Sequence, residues 1–240
     1  MAFSERYTIE VPLGESDVGA VWRGRAVVGG ARVAVVLLEE DAPAETQARF
    51  RADAVKLAGL RHAHVATAIE QGDTDEGAPY LVLELVDGDS LATCLKSGPP
   101  LTIARVVEIV TQIGEGLVAA HAAGVFHGDV EPGNILLARS GDTEVATLIG
   151  FALNRADRRT SREAAARLSL PSIGAHWAYA APEQVRGETV ASAATDVYAL
   201  AAVLHSALAG QPPHVAPDAV ALLESISGDK PLALGALKKE

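Results

Sequence analysis

The chain has 240 residues, 49% of them hydrophobic but only 4% aromatic, and a formal net charge of −11 at neutral pH. That length bounds one large domain or two lobes with a sizeable core, and the apolar content excludes a disordered chain. An acidic chain without a long basic cluster is a poor nucleic-acid binder, because phosphates need Lys and Arg to neutralise them. A single cysteine, Cys94, excludes an intramolecular disulfide and a cysteine-based zinc site. It fits a reducing compartment and reads as a small half-buried filler. The N-terminus MAFSERYTIE has no apolar signal core. The longest apolar stretch, Val197 to Gly210, is too short to span a bilayer and carries His205 in its middle. The expectation is a soluble cytoplasmic chain, free or as the cytoplasmic part of a longer membrane protein.

In chain order, residues 7–40 read as strands. YTIEVPLG and GAVWRGRAV alternate or carry β-branched residues, and ARVAVVLLEE is a continuous apolar run of strand length. DAPAETQARFRADAVKLAGL has helical periodicity, with Phe50, Ala54, Leu57 and Leu60 on one face. HVATAIEQG and PYLVLELV predict two more strands joined by the turn-rich DTDEGAP. From DGDS onward the pattern is mostly helical. DSLATCLKSG predicts a short helix. TIARVVEIVTQIGEGLVAAHAAG predicts a long one, with Thr102 as N-cap and Gly124 as C-cap. VATLIGFAL is strand-like, and ASAATDVYALAAVLHSALAG predicts a strongly apolar helix ending at Gly210. A small β lobe thus precedes a larger α lobe, with a boundary near Val86–Gly88.

Eight short motifs follow one another: LGESDVGAVWRG, VAVV, FRADAVKLAGLRHAHV, LELVDGDSL, FHGDVEPGNILL, LIGFA, AAPEQ and ATDVYAL. In this order, over about Tyr7 to Pro213, they resemble the eukaryotic-type Ser/Thr protein kinases, and among them the bacterial Hanks-type receptor kinases. The resemblance implies an α+β, bilobal fold in a single domain. Residues 1–86 would form a β-rich N-lobe with one helix, and residues 87–240 a mainly helical C-lobe.

Several positions depart from the family's pattern. Where the third strand carries a phosphate-binding lysine, this chain has Val36. The glutamate that pairs with that lysine aligns with Asp53, and the magnesium-binding aspartate of the DFG motif aligns with Gly150 in GFA, where Ala152 takes the glycine's place. Ser16 replaces a glycine of the phosphate loop, where a side chain restricts close approach of backbone to phosphate. In the catalytic loop, Gly128 stands for the arginine that receives the activating phosphate. Glu131 stands for a lysine near the transferred phosphate, which a carboxylate repels. Asp129, aligned with the base, and Asn134 are retained; both also serve as hydrogen-bonding groups that hold the loop's shape.

The resemblance also assigns structural roles. Leu57, His127 and Phe151 belong to a column linking the lobes. Val21, Ala34 and Leu136 would sandwich an adenine ring, with backbone groups of Glu84 and Val86 facing it, or would simply be core. Asp196 would anchor the catalytic loop, and Ala181, Pro182 and Glu183 form the APE motif. The sequence reaches roughly the helix after this anchor, so the expectation is either a truncated C-lobe or one whose remainder belongs to a segment absent from this sequence, with Glu183 lacking its usual arginine here. Between Phe151 and Pro182, Arg155, Arg158, Arg159 and Arg162 surround Thr160 and Ser161. This segment, in which REAAARLSL suits a short helix, is either a phosphoacceptor loop or a solvated basic loop.

These exchanges lead to the expectation of a degenerate pseudokinase. It would not be an enzyme, would hold no metal or cofactor, and would act as a scaffold or regulator in bacterial signalling or cell-envelope control. Its expected partner is an active Ser/Thr kinase or a phosphothreonine-binding domain. Two alternatives stay open: a sensor that binds ATP weakly without metal, and a weak, unconventional Ser/Thr phosphotransferase acting through Asp129.

Overall fold

A computed structural model describes residues 2–16, 19–141, 143–152, 177–188, 191–228 and 231–232. A single helical turn, α1 (Phe3–Arg6), leads into three strands, β1 (Tyr7–Ser16), β2 (Gly19–Ala26) and β3 (Arg32–Leu38). Helix α2 (Ala44–Gly59) follows, then β4 (Ala68–Asp73) and β5 (Pro79–Glu84). These strands form one antiparallel sheet in the order β1-β2-β3-β5-β4.

The apolar run in β3 is continuous because both faces of the strand are covered. Val33 and Val35 join Tyr80, Val82, Phe3 and Tyr7 beneath α1. Val36 and Leu38 point the other way and join Leu81 and Leu83 in the main core. The period of two thus places Val36 among apolar side chains, opposite Val21 on β2 and Leu81 on β5. Phe50, Ala54 and Leu57 of α2 lie on this same side, as their helical spacing predicts, and Leu60 packs partly buried at the helix end.

The second lobe begins with a two-residue strand, β6 (Asp89–Ser90), followed by α3 (Leu91–Ser97) and the long α4 (Ile103–Ala122). Ser90 and Thr102 cap these helices, their hydroxyls accepting from Thr93 N–H and Arg105 N–H. Ala123 is the C-cap of α4, and the expected Gly124 is the next residue out. After the loop come a 3-10 turn (Pro132–Asn134), β7 (Ile135–Ser140) and β8 (Thr143–Leu148), which with β6 make a three-stranded sheet. Helices α5 (Pro182–Val185), α6 (Ala193–Ala209) and α7 (Ala219–Gly228) complete the described elements. As expected, Gly210 terminates α6. This is the bilobal, α+β arrangement that the resemblance implies, a β-rich sheet lobe beside a helical lobe.

One core runs through both lobes. Val36, Leu57 and Leu81 from the first share it with Ile113, Leu148, Phe151 and Val203 from the second. Backbone bonds reinforce the passage: Leu148 N–H donates to His64 O at 2.9 Å and Ala66 N–H to Leu148 O at 3.1 Å.

Candidate active site

The loop His127–Asn134 lies between the end of α4 and β7, and its shape is set by buried hydrogen bonds. The Asp196 carboxylate on α6 is fully buried. It accepts from His127 N–H at 2.8 Å and Gly128 N–H at 2.6 Å, and lies 2.8 Å from His121 Nε2 on α4. His127, also fully buried, stacks edge-on against Phe151 with ring centroids 4.6 Å apart. Its Nδ1 accepts from Asp129 N–H at 3.1 Å, so Nε2 carries the proton and donates to Ile149 O at 2.8 Å. Leu57 and Phe151, which sequence analysis placed with His127 in one column, both lie in the shared core.

Asp129 and Asn134 are brought together. Asn134 Nδ2 donates to Asp129 O at 2.8 Å and lies 3.4 Å from Asp129 Oδ2. Gly150 closes the other side. It holds φ +90°, and a Cβ built there would stand 3.2 Å from Asn134 Oδ1. Glycine alone adopts this conformation without strain, and the side chain of Asn134 fills the space beside it. Ala152 also sits in the left-handed region, at φ +67°.

Glu131 is 7% exposed and curls over Gly133, its Oε1 3.0 Å from where a Cβ would be. Burial pushes the Tyr179 hydroxyl up, its hydrogen bond with Ser206 opposes this, and the Glu131 carboxylate pushes it further up. Glu131 therefore sits in a packed environment rather than in open solvent.

Val36 is 1% exposed and offers the site no donor. Asp53 on α2 pairs with Lys56 at 3.5 Å, and Lys56 also donates to Gly124 O at 2.9 Å. Burial holds the Asp53 carboxyl above its ordinary range despite the opposing Lys56 and Arg49. Ser16 ends β1 opposite Gly19. Val21 and Ala34 pack half-buried against the main core, and Leu136 faces Thr147 across the small sheet. Glu84 N–H is already donated to Thr67 O at 2.9 Å, so its backbone donor is engaged within the sheet. Val86 follows, half-buried. Thr160 and Ser161, with the arginines around them, lie outside the described residues.

Two contributors escaped sequence analysis. His121 closes α4 and reaches the Asp196 carboxylate; its signal was a histidine facing the apolar stripe of that helix. Gln184 directly follows the APE motif, is 2% exposed, and donates from Nε2 to Gly128 O at 2.9 Å.

Residues 7–228 match the protein kinase domain family. The chain belongs to that family. It is 37% identical over 221 residues to the serine/threonine-protein kinase PknH of Mycobacterium bovis, covering 91% of this chain and 35% of that protein. It is 34% identical to PknA of Mycobacterium tuberculosis, covering 89% of this chain and 49% of that protein. A probable serine/threonine-protein kinase of Streptomyces coelicolor, SCO3848, is 31% identical over 236 residues, 95% of this chain and 34% of that protein. Among solved structures, the kinase domain of Mycobacterium tuberculosis PknI superposes with a TM-score of 0.70 at 27% identity, over 99% of this chain and 84% of that one. The chain thus spans about a third to a half of the length of the curated relatives it matches.

These relatives correct one expectation. The exchanges at Val36, Glu131 and Gly150 argued that the chain is not an enzyme. Relatives 31–37% identical over about nine-tenths of it are named Ser/Thr protein kinases. The physical reason is that each lost charge removes a finite amount of transition-state stabilisation, and such losses are not additive. A list of missing side chains is therefore not a measurement of turnover. For the membrane question, no helix among the described residues is long and apolar enough to cross a bilayer.

Proposed function

We propose that this kinase-family domain works in bacterial signalling or cell-envelope control by engaging protein partners through its kinase-shaped surface, as a scaffold or regulator. The partner class is an active Ser/Thr kinase. The observation that carries this reading is the intact buried frame of Asp196, His127 and Phe151, which holds the loop by hydrogen bonds and packing. Calorimetric titration with an active bacterial Ser/Thr kinase domain tests it, alongside that kinase's autophosphorylation rate. A Kd below about 10 μM with an altered rate is expected. Neither binding nor a change in rate overturns the proposal. A phosphothreonine-binding partner would require phosphate on Thr160 or Ser161, which mass spectrometry after treatment with the active kinase detects. The proposed compartment is the cytoplasm.

A second reading is Ser/Thr phosphotransfer with Asp129 as base. The names of the relatives support it, as does the clamped geometry of Asp129 between His127 and Asn134. Radiolabel transfer from ATP is the measurement. Transfer that disappears in Asp129→Asn supports the reading; equal signals in the two proteins sink it.

The family implies magnesium, and the residues present do not fit it. Divalent cations need converging carboxylate oxygens. Residue 150 has no side chain, the Asn134 carboxamide fills the adjacent space, and among the described residues no group of three or more His, Cys, Asp or Glu side chains converges. Any nucleotide would bind between Val21, Ala34 and Leu136 with metal-independent affinity. Thermal shift with ATP, compared with and without magnesium or manganese, checks this: equal shifts are expected, and a shift appearing only with metal overturns it.

A further inference from the structure

The peptide unit joining Gly128 to Asp129 is held at both ends. Its N–H donates to His127 Nδ1 at 3.1 Å, and its carbonyl accepts from Gln184 Nε2 at 2.9 Å. The plane of this peptide sets the direction in which the Asp129 side chain leaves the backbone. The His127 half of the clamp lies within the loop. The Gln184 half comes from α5, 56 residues further along the chain.

Gln184 is itself oriented. Its Oε1 accepts from Ala181 N–H at 3.1 Å, which assigns the Nε2 end to Gly128. Ala181 is fully buried, so the amide is fixed at both ends in a dry environment where each bond is worth more than in water. Gly128 makes the geometry possible: at φ +73° it turns its carbonyl toward α5 while its own N–H stays on Asp196.

We propose that Gln184 is a positioning residue. Through the Gly128 carbonyl it fixes the peptide plane that aims Asp129, and so couples the orientation of the loop to the seating of α5. The coupling is steric and electrostatic, and it is present whether or not the chain transfers phosphate.

Two measurements on the full chain test this. In the parent protein, nuclear magnetic resonance should find the Gln184 side-chain amide protons protected from exchange by at least about tenfold over an exposed glutamine, as burial and the bond to Gly128 require. Free exchange overturns the proposal. In Gln184→Met, which keeps volume but removes the bonds to Gly128 and Ala181, amide exchange at Gly128 and Asp129 should accelerate at least about tenfold, the loss of roughly one buried hydrogen bond to the loop. Core amides of α4 and β5 should stay within about twofold. Uniform acceleration across the chain reduces Gln184 to a stability residue, and no acceleration at Asp129 removes its role altogether; either result overturns the proposal. If Gln184→Met does not fold, the protection measurement on the parent still decides.

Discussion

Ala152 holds φ +67° immediately after Phe151, buried against the shared core. A Cβ in the left-handed region costs about 1–2 kcal/mol, because it crowds the following carbonyl. Ala152→Gly relieves that crowding and loses some of the gain to the freer unfolded chain, about 0.4–1 kcal/mol. The expected net effect is a stabilisation of about 0.5–1 kcal/mol, read as a higher urea midpoint with unchanged slope. Asp53 tests the electrostatics of α2. Its carboxyl sits above the ordinary value of 3.8 mainly because burial disfavours the charge, with Lys56 and Arg49 only partly opposing. A carboxyl raised on folding favours the folded state fully below its unfolded value, and that contribution is lost as pH rises through the folded one. Asp53→Asn should therefore raise the denaturation midpoint near neutral pH and leave it nearly unchanged below about pH 3, where the parent carboxyl is protonated in both states. A midpoint lowered at neutral pH would mean that Lys56 outweighs burial.

At the scale of elements, Arg105 ties α4 to β8 by a two-pronged contact, Nε and Nη2 lying 2.8 and 2.7 Å from the two oxygens of Glu144. The Arg105 hydrogen bond holds the Glu144 carboxyl below its usual range, with burial opposing. A carboxyl depressed on folding stabilises above its unfolded value and stops doing so as pH falls through the folded one. Glu144→Gln should cost about 1 kcal/mol near neutral pH, since the pair is two-pronged but partly solvated. The deficit should vanish in acid, and equal deficits at both pH values would show that packing rather than charge is lost. These elements differ in how legible they were. The β3 strand and the α2 helix could be read from periodicity because one repeat decides which face is covered. The helical turn α1, the two-residue β6 and the four-residue α5 carry too few residues for any period and exist because of their tertiary partners. The site shows the same division. Asp129, Asn134 and Asp196 stood out by motif, while the parts played by His121 and Gln184 depend on which backbone groups fold against them.

For the molecule as a whole, the decisive feature is that Val36, Leu57, Leu148 and Val203 share one core across both lobes. A valine where the resemblance implies lysine makes that core more apolar at the cleft, and the loop beneath is satisfied by Asp196, His127 and Asn134. Both features argue that the lobes stay docked through packing and unfold together. Leu57 is 2% exposed and belongs to this shared core. Leu57→Ala should cost about 2–5 kcal/mol, the range for emptying a large apolar side chain from a packed core. The two tryptophans provide one reporter in each lobe, Trp22 on β2 and Trp177 beside α7. Variants carrying one tryptophan each, Trp22→Phe and Trp177→Phe, should give the same unfolding midpoint within error once corrected for the substitution itself. Adding Leu57→Ala should lower both midpoints by the same amount. Should Leu57→Ala shift only the Trp22 transition, the lobes unfold separately and the shared core does not couple them.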